Sequence, residues 1–251
     1  MKLIRDTLIV ANRDLRVTLR DPFSLIFTLV QPLVFLAFYG PLLGGVSAVG
    51  ETSPWQWFVP GILVMIGLFG TSVSGSNLLY EMTTGSHERM LVTPLSRSAL
   101  LIGRALKEIV PLVVQAALIV ICVLPFGFQL FPLGAVIGLI LLGILGVGIG
   151  SLSYALAISV KKQEWLFWGV QQTLLFPLLI LSGTLLPIEG APGWLRFLSQ
   201  INPLTHVVEA ERLLFSGQLN QPSVLYGMIA AVTLAALGLT LGIRAMRNAS
   251  T

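Results

Sequence analysis

A single cysteine, Cys122, leaves this 251-residue chain without an internal disulfide and without a cysteine-based metal cluster. Histidine is nearly as scarce. His87 and His206 are far apart in sequence, so there is no His pair at metal-ligand spacing and no second His beside either one for hydrolytic work. Charged residues form only 10% of the chain, against about 25% in soluble domains. No G-x-x-x-x-G-K-[ST] phosphate loop occurs, which excludes that way of cradling a nucleotide on this chain. The long apolar runs contain no Asp, Glu, Lys, Arg or His, which argues against a proton-driven antiporter. Sodium coupling through backbone carbonyls stays open, with no clear inverted repeat to support it.

What is present is hydrophobic length. Apolar residues make up 55% of the chain, and a span needs about 20 of them to cross a hydrocarbon core of roughly 30 Å. Runs near residues 25–43, 58–78, 109–126, 133–160, 166–186 and 224–243 predict an all-α polytopic membrane protein with six transmembrane helices. The fourth is long enough to tilt. Basic residues gather in patches: Lys2, Arg5, Arg13, Arg16 and Arg20, then Arg89, Arg97, Arg104 and Lys107, then Lys161 and Lys162, then Arg244 and Arg247. Only Arg196 and Arg212 fall in the alternate connections, and the positive-inside rule then puts both termini in the cytoplasm. The pI near 9.6 comes from juxtamembrane residues, which suit anionic lipid headgroups rather than nucleic acid. The charged first twenty residues and the long run after Pro22 predict an uncleaved anchor rather than a signal peptide.

Ile4, Leu8, Ala11, Leu15 and Leu19 recur at helical spacing, with basic residues on the other side. Residues 1–22 therefore predict an amphipathic helix in the membrane interface, ended by Asp21-Pro22. The plainer alternative is an orientation signal with an incidental flank. Residues 79–108 are the most charged internal stretch, and Gly85 and Pro94 bracket a short helix over 86–92. Two readings stand for it: a docking element for a soluble partner, or a solvated hairpin.

The run Glu88-Arg89-Met90-Leu91-Val92-Thr93-Pro94-Leu95-Ser96-Arg97 resembles the ERLLVTPLSR signature of ABC exporter permeases of the type-2 branch, which includes daunorubicin-type drug-resistance permeases. Arg20-Asp21-Pro22, Ser182-Gly183-Thr184, Pro192-Gly193-Trp194-Leu195 and Asn202-Pro203-Leu204-Thr205 are similar to further family motifs in the same order, so the resemblance covers the whole chain as one transmembrane domain. Ahead of the signature, Met82-Thr83-Thr84 thins the family's denser charged run. The resemblance implies an interfacial helix with Arg13, Arg16, Arg20, Asp21 and Pro22. It implies a coupling element to an ATPase subunit at Glu81, Gly85, Glu88, Arg89, Thr93, Pro94 and Arg97. It further implies two permeases working with two ATPase subunits that hold ATP and Mg, no cofactor on this chain, and multi-pass placement in the plasma membrane, the bacterial inner membrane foremost.

Residues 187–223 carry two helical stripes: Trp194, Leu195, Leu198 and Ile201, then Leu204, Val207, Val208, Glu211 and Phe215. The resemblance makes these a re-entrant pair with Asn202, Pro203, His206, Glu209 and Arg212, while Trp194 also suits a plain interfacial anchor. The spacing of Glu209 and Arg212 predicts a buried ion pair. Gln31, Gln171, Gln172 and Thr173 either line a path between spans one and five, as the family implies, or hydrogen-bond between helices. Pro32, Pro111 and Pro177 predict kinks. Apolar, uncharged walls suit an amphiphilic or apolar cargo: a drug, a secondary metabolite or a lipid-linked glycan. The alternative function is a membrane scaffold or assembly factor that docks a soluble partner through residues 79–108 without moving substrate.

Overall fold

The computed structural model describes residues 2–20, 22–43, 53–93, 95–160 and 163–248, and every regular element among them is helical. In chain order these are α1 (Lys2–Leu19), α2 (Pro22–Leu43), α3 (Pro54–Ser72), α4 (Ser74–Thr83), α5 (Ser86–Leu91), α6 (Arg97–Lys107), α7 (Ile109–Val123), α8 (Pro132–Ser159), α9 (Glu164–Leu181), α10 (Gly193–Ile201), α11 (Pro203–Phe215) and α12 (Pro222–Asn248). Five stretches are long and apolar enough to cross a membrane: Pro54–Thr83, Arg97–Phe126, Pro132–Ser159, Glu164–Leu181 and Pro222–Asn248. The 22-residue α2 contributes a shorter described apolar stretch, Leu29–Tyr39.

Two of these runs are longer than their apolar lengths predict. α3 and α4 form one run of 30 residues, and α6 and α7 another, so their charged ends belong to the same rods as their apolar middles. At about 1.5 Å per residue each rod is roughly 45 Å long. α9 is shorter than expected and stops at Leu181 instead of reaching residue 186. Gly183 adopts φ 71°, a left-handed conformation that ends the helix and that other residues enter only at a cost.

α3 and α8 form the centre, with 83% and 61% of their most apolar stretches buried, while α9 and α12 are peripheral at 22% each. The core packs Phe58, Ile62, Leu63 and Leu68 of α3 against Leu141, Leu142 and Leu145 of α8 and Val207, Val208 and Phe215 of α11. α12 lies directly on α8: a Cβ at Gly238 would meet the Gly148 carbonyl oxygen at 2.3 Å, so the backbones touch. Gly238 thus serves packing within one chain. The outward sides of α9 and α12 expose Leu174, Phe176, Ile180, Leu225, Val232 and Leu237, an apolar surface suited to lipid.

α1 has three sides rather than two. Ile4, Leu8 and Leu19 of the apolar stripe are exposed, as are Arg5, Arg13, Arg16 and Arg20. A third side, Asp6, Thr7, Val10 and Asp14, is buried and packs on α6, where a Cβ at Gly103 would lie 2.8 Å from both the Thr7 carbonyl oxygen and Val10.

Candidate functional site

α4, α5 and α6 make a hairpin at one end of the bundle, with α1 laid against it. Its turns follow from local chemistry. The Thr83 and Thr84 hydroxyls donate to the Tyr80 carbonyl at 2.8 and 3.1 Å and close α4. Gly85 at φ 71° reverses the chain; the space around it is open, so the backbone and not crowding selects glycine. α5 ends where the Thr93 hydroxyl donates to the Met90 carbonyl at 2.6 Å, and Ser96 caps α6 by accepting from the Ala99 N–H at 3.2 Å.

This frame sorts α5 into two sides. Glu88 and Arg89 are exposed, beside Val92 at 86% and Tyr80 at 71% exposure. His87 is buried, and Met90 is buried against Val10 of α1 and Leu100 of α6. Arg13 and Arg104 both direct guanidinium nitrogens at the Met90 sulfur, Arg104 from 3.6 Å. Arg104, its side chain 3% exposed, holds Glu81 at 2.5 Å and reaches Asp14 at 3.8 Å. Lys107 lies 3.2 Å from Glu108, which accepts from the Tyr154 hydroxyl of α8 at 3.0 Å. These groups surround a cavity of ≈ 330 Å³ lined by Arg13, Asp14, Asn77, Glu81, Arg104 and Lys107. Burial raises the Asp14 pKa above the ordinary carboxyl range, against the pull of Arg104 and with help from Glu81. Burial likewise lowers the His87 pKa, and the Arg104 charge adds to the effect.

The hairpin therefore gathers Glu81, Gly85, Glu88, Arg89 and Thr93 around one short helix, and ties Arg97 to the end of α12 through the Arg247 carbonyl at 3.1 Å. Pro94 and Asp21 lie outside the described residues, and Pro22 is the first residue of α2. The four polar candidates for a path do not share one place. Gln31 lines a small cavity with Gln115 and Gly70 between α2, α3 and α7. Gln171 sits on the α9 side of α3 and donates to the Ser72 hydroxyl at 2.9 Å, while Gln172 and Thr173 face outward.

At the other end, Asn202 caps α11 by accepting from the Leu204 N–H at 3.1 Å, with Pro203 at the first helical position. His206 Nε2 lies 3.0 Å from the Gln200 carbonyl oxygen. The expected Glu209–Arg212 pair is not formed. Glu209 is exposed, whereas the Arg212 guanidinium turns inward, donates to the carbonyls of Trp57 at 3.1 Å and Gly183 at 2.7 Å, and lies 3.8 Å over the Trp57 ring. The buried acid is Glu211, at 0% exposure against Gly138, with neither carboxylate oxygen partnered among the described residues. Its place in the apolar stripe of α11 was the signal for that burial. Asp14, Met90, Glu108 and Tyr154 carried no comparable signal. No group of three or more His, Cys, Asp or Glu is placed to hold a metal ion among the described residues.

Residues 5–216 match the ABC-2 type transporter family model. The chain belongs to the ABC-2 type transporter family. It is 29% identical over 198 residues to the daunorubicin resistance ABC transporter permease protein DrrB1 of Streptomyces coeruleorubidus, covering 78% of this chain and 70% of that one. It is 33% identical over 203 residues to the putative transport permease ycf38 of Cyanophora paradoxa, covering 78% and 69%. It is 25% identical over 213 residues to the probable doxorubicin resistance ABC transporter permease protein DrrC of Mycobacterium tuberculosis, covering 83% and 76%. With its apolar helices, this ABC-2 chain is a multi-pass membrane protein. Its match runs from α1 through α11 and so includes both ends of the bundle.

Proposed function

We propose that this chain is the membrane-spanning permease subunit of an ATP-driven exporter, with α5 as the element that seats on a separate ABC ATPase. The observation that carries this reading is the construction of α5. A six-residue helix is held across the ends of two 30-residue rods, its inner side anchored by Met90 and His87 and its outer side presenting Glu88, Arg89 and Val92. A solvated hairpin needs no such anchoring, whereas a docking surface must be stiff to pass movement into the rods. In this reading α2 is the sixth span, both termini and α5 face the cytoplasm, and α10–α11 form a re-entrant pair at the outer side. Two copies work with two ATPase subunits, which hold ATP and Mg. The cargo is amphiphilic or apolar, in keeping with the drug-resistance names of two relatives and the scarcity of charge along the helices. The setting is the plasma membrane, most simply a bacterial inner membrane.

The test is co-purification with candidate ABC ATPases from the same genome, followed by native mass. A complex of two and two is expected, and Glu88→Lys with Arg89→Glu should release the ATPase while membrane insertion is unchanged. An ATPase retained equally by those variants would refute docking through α5. A chain that captures no ATPase would favour the membrane scaffold.

A further inference from the structure

Each of the two rods that carry α5 is interrupted near its α5 end, and these two interruptions lie on the same turn of α8. In the first rod the Ser76 N–H bonds to the Val73 carbonyl at 2.9 Å, three residues back, instead of to Ser72. The Ser72 carbonyl is thereby released from the helical ladder. The Ser153 hydroxyl of α8 donates to it and accepts from the Gly75 N–H at 3.0 Å. One side chain inserted into the i→i−4 ladder is a recognised cause of a helix kink. In the second rod Pro111 has no N–H for the Lys107 carbonyl, and the helix tightens at Glu108, whose N–H bonds to Ala105 at 3.2 Å. The adjacent α8 residue, Tyr154, holds the Glu108 carboxylate through its hydroxyl at 3.0 Å. Gly150, one turn earlier, faces both breaks: a Cβ there would lie 3.4 Å from Glu108 Cγ and 3.8 Å from the Thr71 carbonyl oxygen.

Between the breaks, α4, α5 and α6 are tied to one another by Arg104–Glu81 and to α1 by Arg104–Asp14. Beyond the breaks, α3 and α7 belong to the large shared core. α4 and α6 also pack on α8 through Leu78, Leu79, Leu101 and Tyr154, so α8 is the surface against which the rods can bend, and locally tightened turns inside long helices are where hinges are found. We propose that Ser153 and Tyr154 are the two pivot pins on which the α4–α5–α6 arm turns against the membrane body, which makes them positioning residues for passing ATPase closure inward. This rests on α5 being the docking helix.

The arm is measured in the full chain in lipid nanodiscs, with spin labels at the exposed Tyr80 of α4 and Ser159 of α8 in a Cys122→Ser background. The parent should give one narrow distance. Ser153→Ala and Tyr154→Phe should each raise the population of a second distance by about fivefold, the factor carried by a lost neutral hydrogen bond, and Ser153→Thr should restore the parent distribution. Parent-like distributions in both deletion variants would overturn the proposal. In the captured complex, ATP with vanadate should move the α4 label in every variant, but should move a label at Leu198 of α10 only where both pins are intact. A parent-like Leu198 response in the double variant would also overturn it. The distance measurement needs no ATPase, so failure to capture one removes the docking reading alone, while unchanged distances remove the pivot alone.

Discussion

Replacing Arg104 by Met is the sharpest test of the buried charge cluster. The side chain is 3% exposed and faces two carboxylates, Glu81 at 2.5 Å and Asp14 at 3.8 Å. Removing one partner of a buried ion pair costs roughly 3–5 kcal/mol, because the other charge is left without compensation. The Glu81 side chain is 29% exposed, so water takes over part of its charge and its share falls toward the ~1 kcal/mol of surface pairs. Asp14, at 10%, keeps the half-exposed Arg13 at 3.7 Å and the more distant Lys107 charge in reserve, so the total for Arg104→Met is about 3 kcal/mol. Glu81→Gln keeps an oxygen for the guanidinium and should cost only about 1 kcal/mol. Adding Asp14→Asn to Arg104→Met removes the stranded buried charge and should recover about 1 kcal/mol. Equilibrium unfolding by SDS in mixed micelles, followed through the five tryptophans, measures all three. Equal losses for Arg104→Met and Glu81→Gln, or a double variant less stable than Arg104→Met, would refute the reasoning.

Two further outcomes follow from buried groups. His87 is buried with neither ring nitrogen partnered among the described residues, and its pKa is lowered in the fold from the ordinary 6.5. The unfolded chain then takes up the proton first, so stability present above about pH 6.5 is lost as pH falls through the folded value; the thermal midpoint should drop on acidification, and His87→Gln should flatten that part of the profile. Glu211 is enclosed by apolar groups, where an uncharged side chain of the same shape is far easier to bury than a charge. Glu211→Gln should keep the parent midpoint and Glu211→Lys should abolish folded protein on size exclusion; a clear loss in Glu211→Gln would mean that the carboxylate has a partner in the working protein.

The apolar middles of the long rods were legible because apolar length is a direct consequence of bilayer thickness, whereas their charged ends were not. The extent of α5 was legible too, 86–92 from the sequence against Ser86–Leu91 in the fold, since the Gly85 turn acts locally. The stripes of α10 and α11 were read correctly as helices for the same reason. Charge placement was not legible. Glu209 and Arg212 have the spacing of a pair, but Arg212 finds carbonyls of α3 and of the Gly183 turn, which local spacing does not reveal. α1 shows how one periodic pattern can hide another: its apolar stripe stood out, yet the side in contact with protein is Asp6-Thr7-Val10-Asp14, where Asp14 meets Arg104 of α6 rather than water. Tyr154 and Ser153 looked like ordinary polar residues in a long helix, and only the two breaks opposite them give their hydroxyls a distinct place.

The distribution of proline bears on which helices move. α2 contains Pro32 and Pro41, α3 contains Pro60, α9 contains Pro177, and the α6–α7 rod contains Pro111. Each interrupts a backbone ladder and leaves a place that bends easily. α8 and α12 carry proline only at their first residue, run 28 and 27 residues, and lie backbone to backbone at Gly148 and Gly238. They are the stiff pair. α8 meets Glu211 of α11 at Gly138 and the breaks of the α3–α4 and α6–α7 rods at Ser153 and Tyr154, 16 residues or about 24 Å along one unbroken helix. A turn of the arm about these pins loads a rod that cannot fold in its middle, so the displacement must reappear at α11 or be absorbed by the proline-bearing helices around it. Because the α8–α12 contact leaves no room for a side chain at Gly238, sliding between those two helices is the least available of these responses.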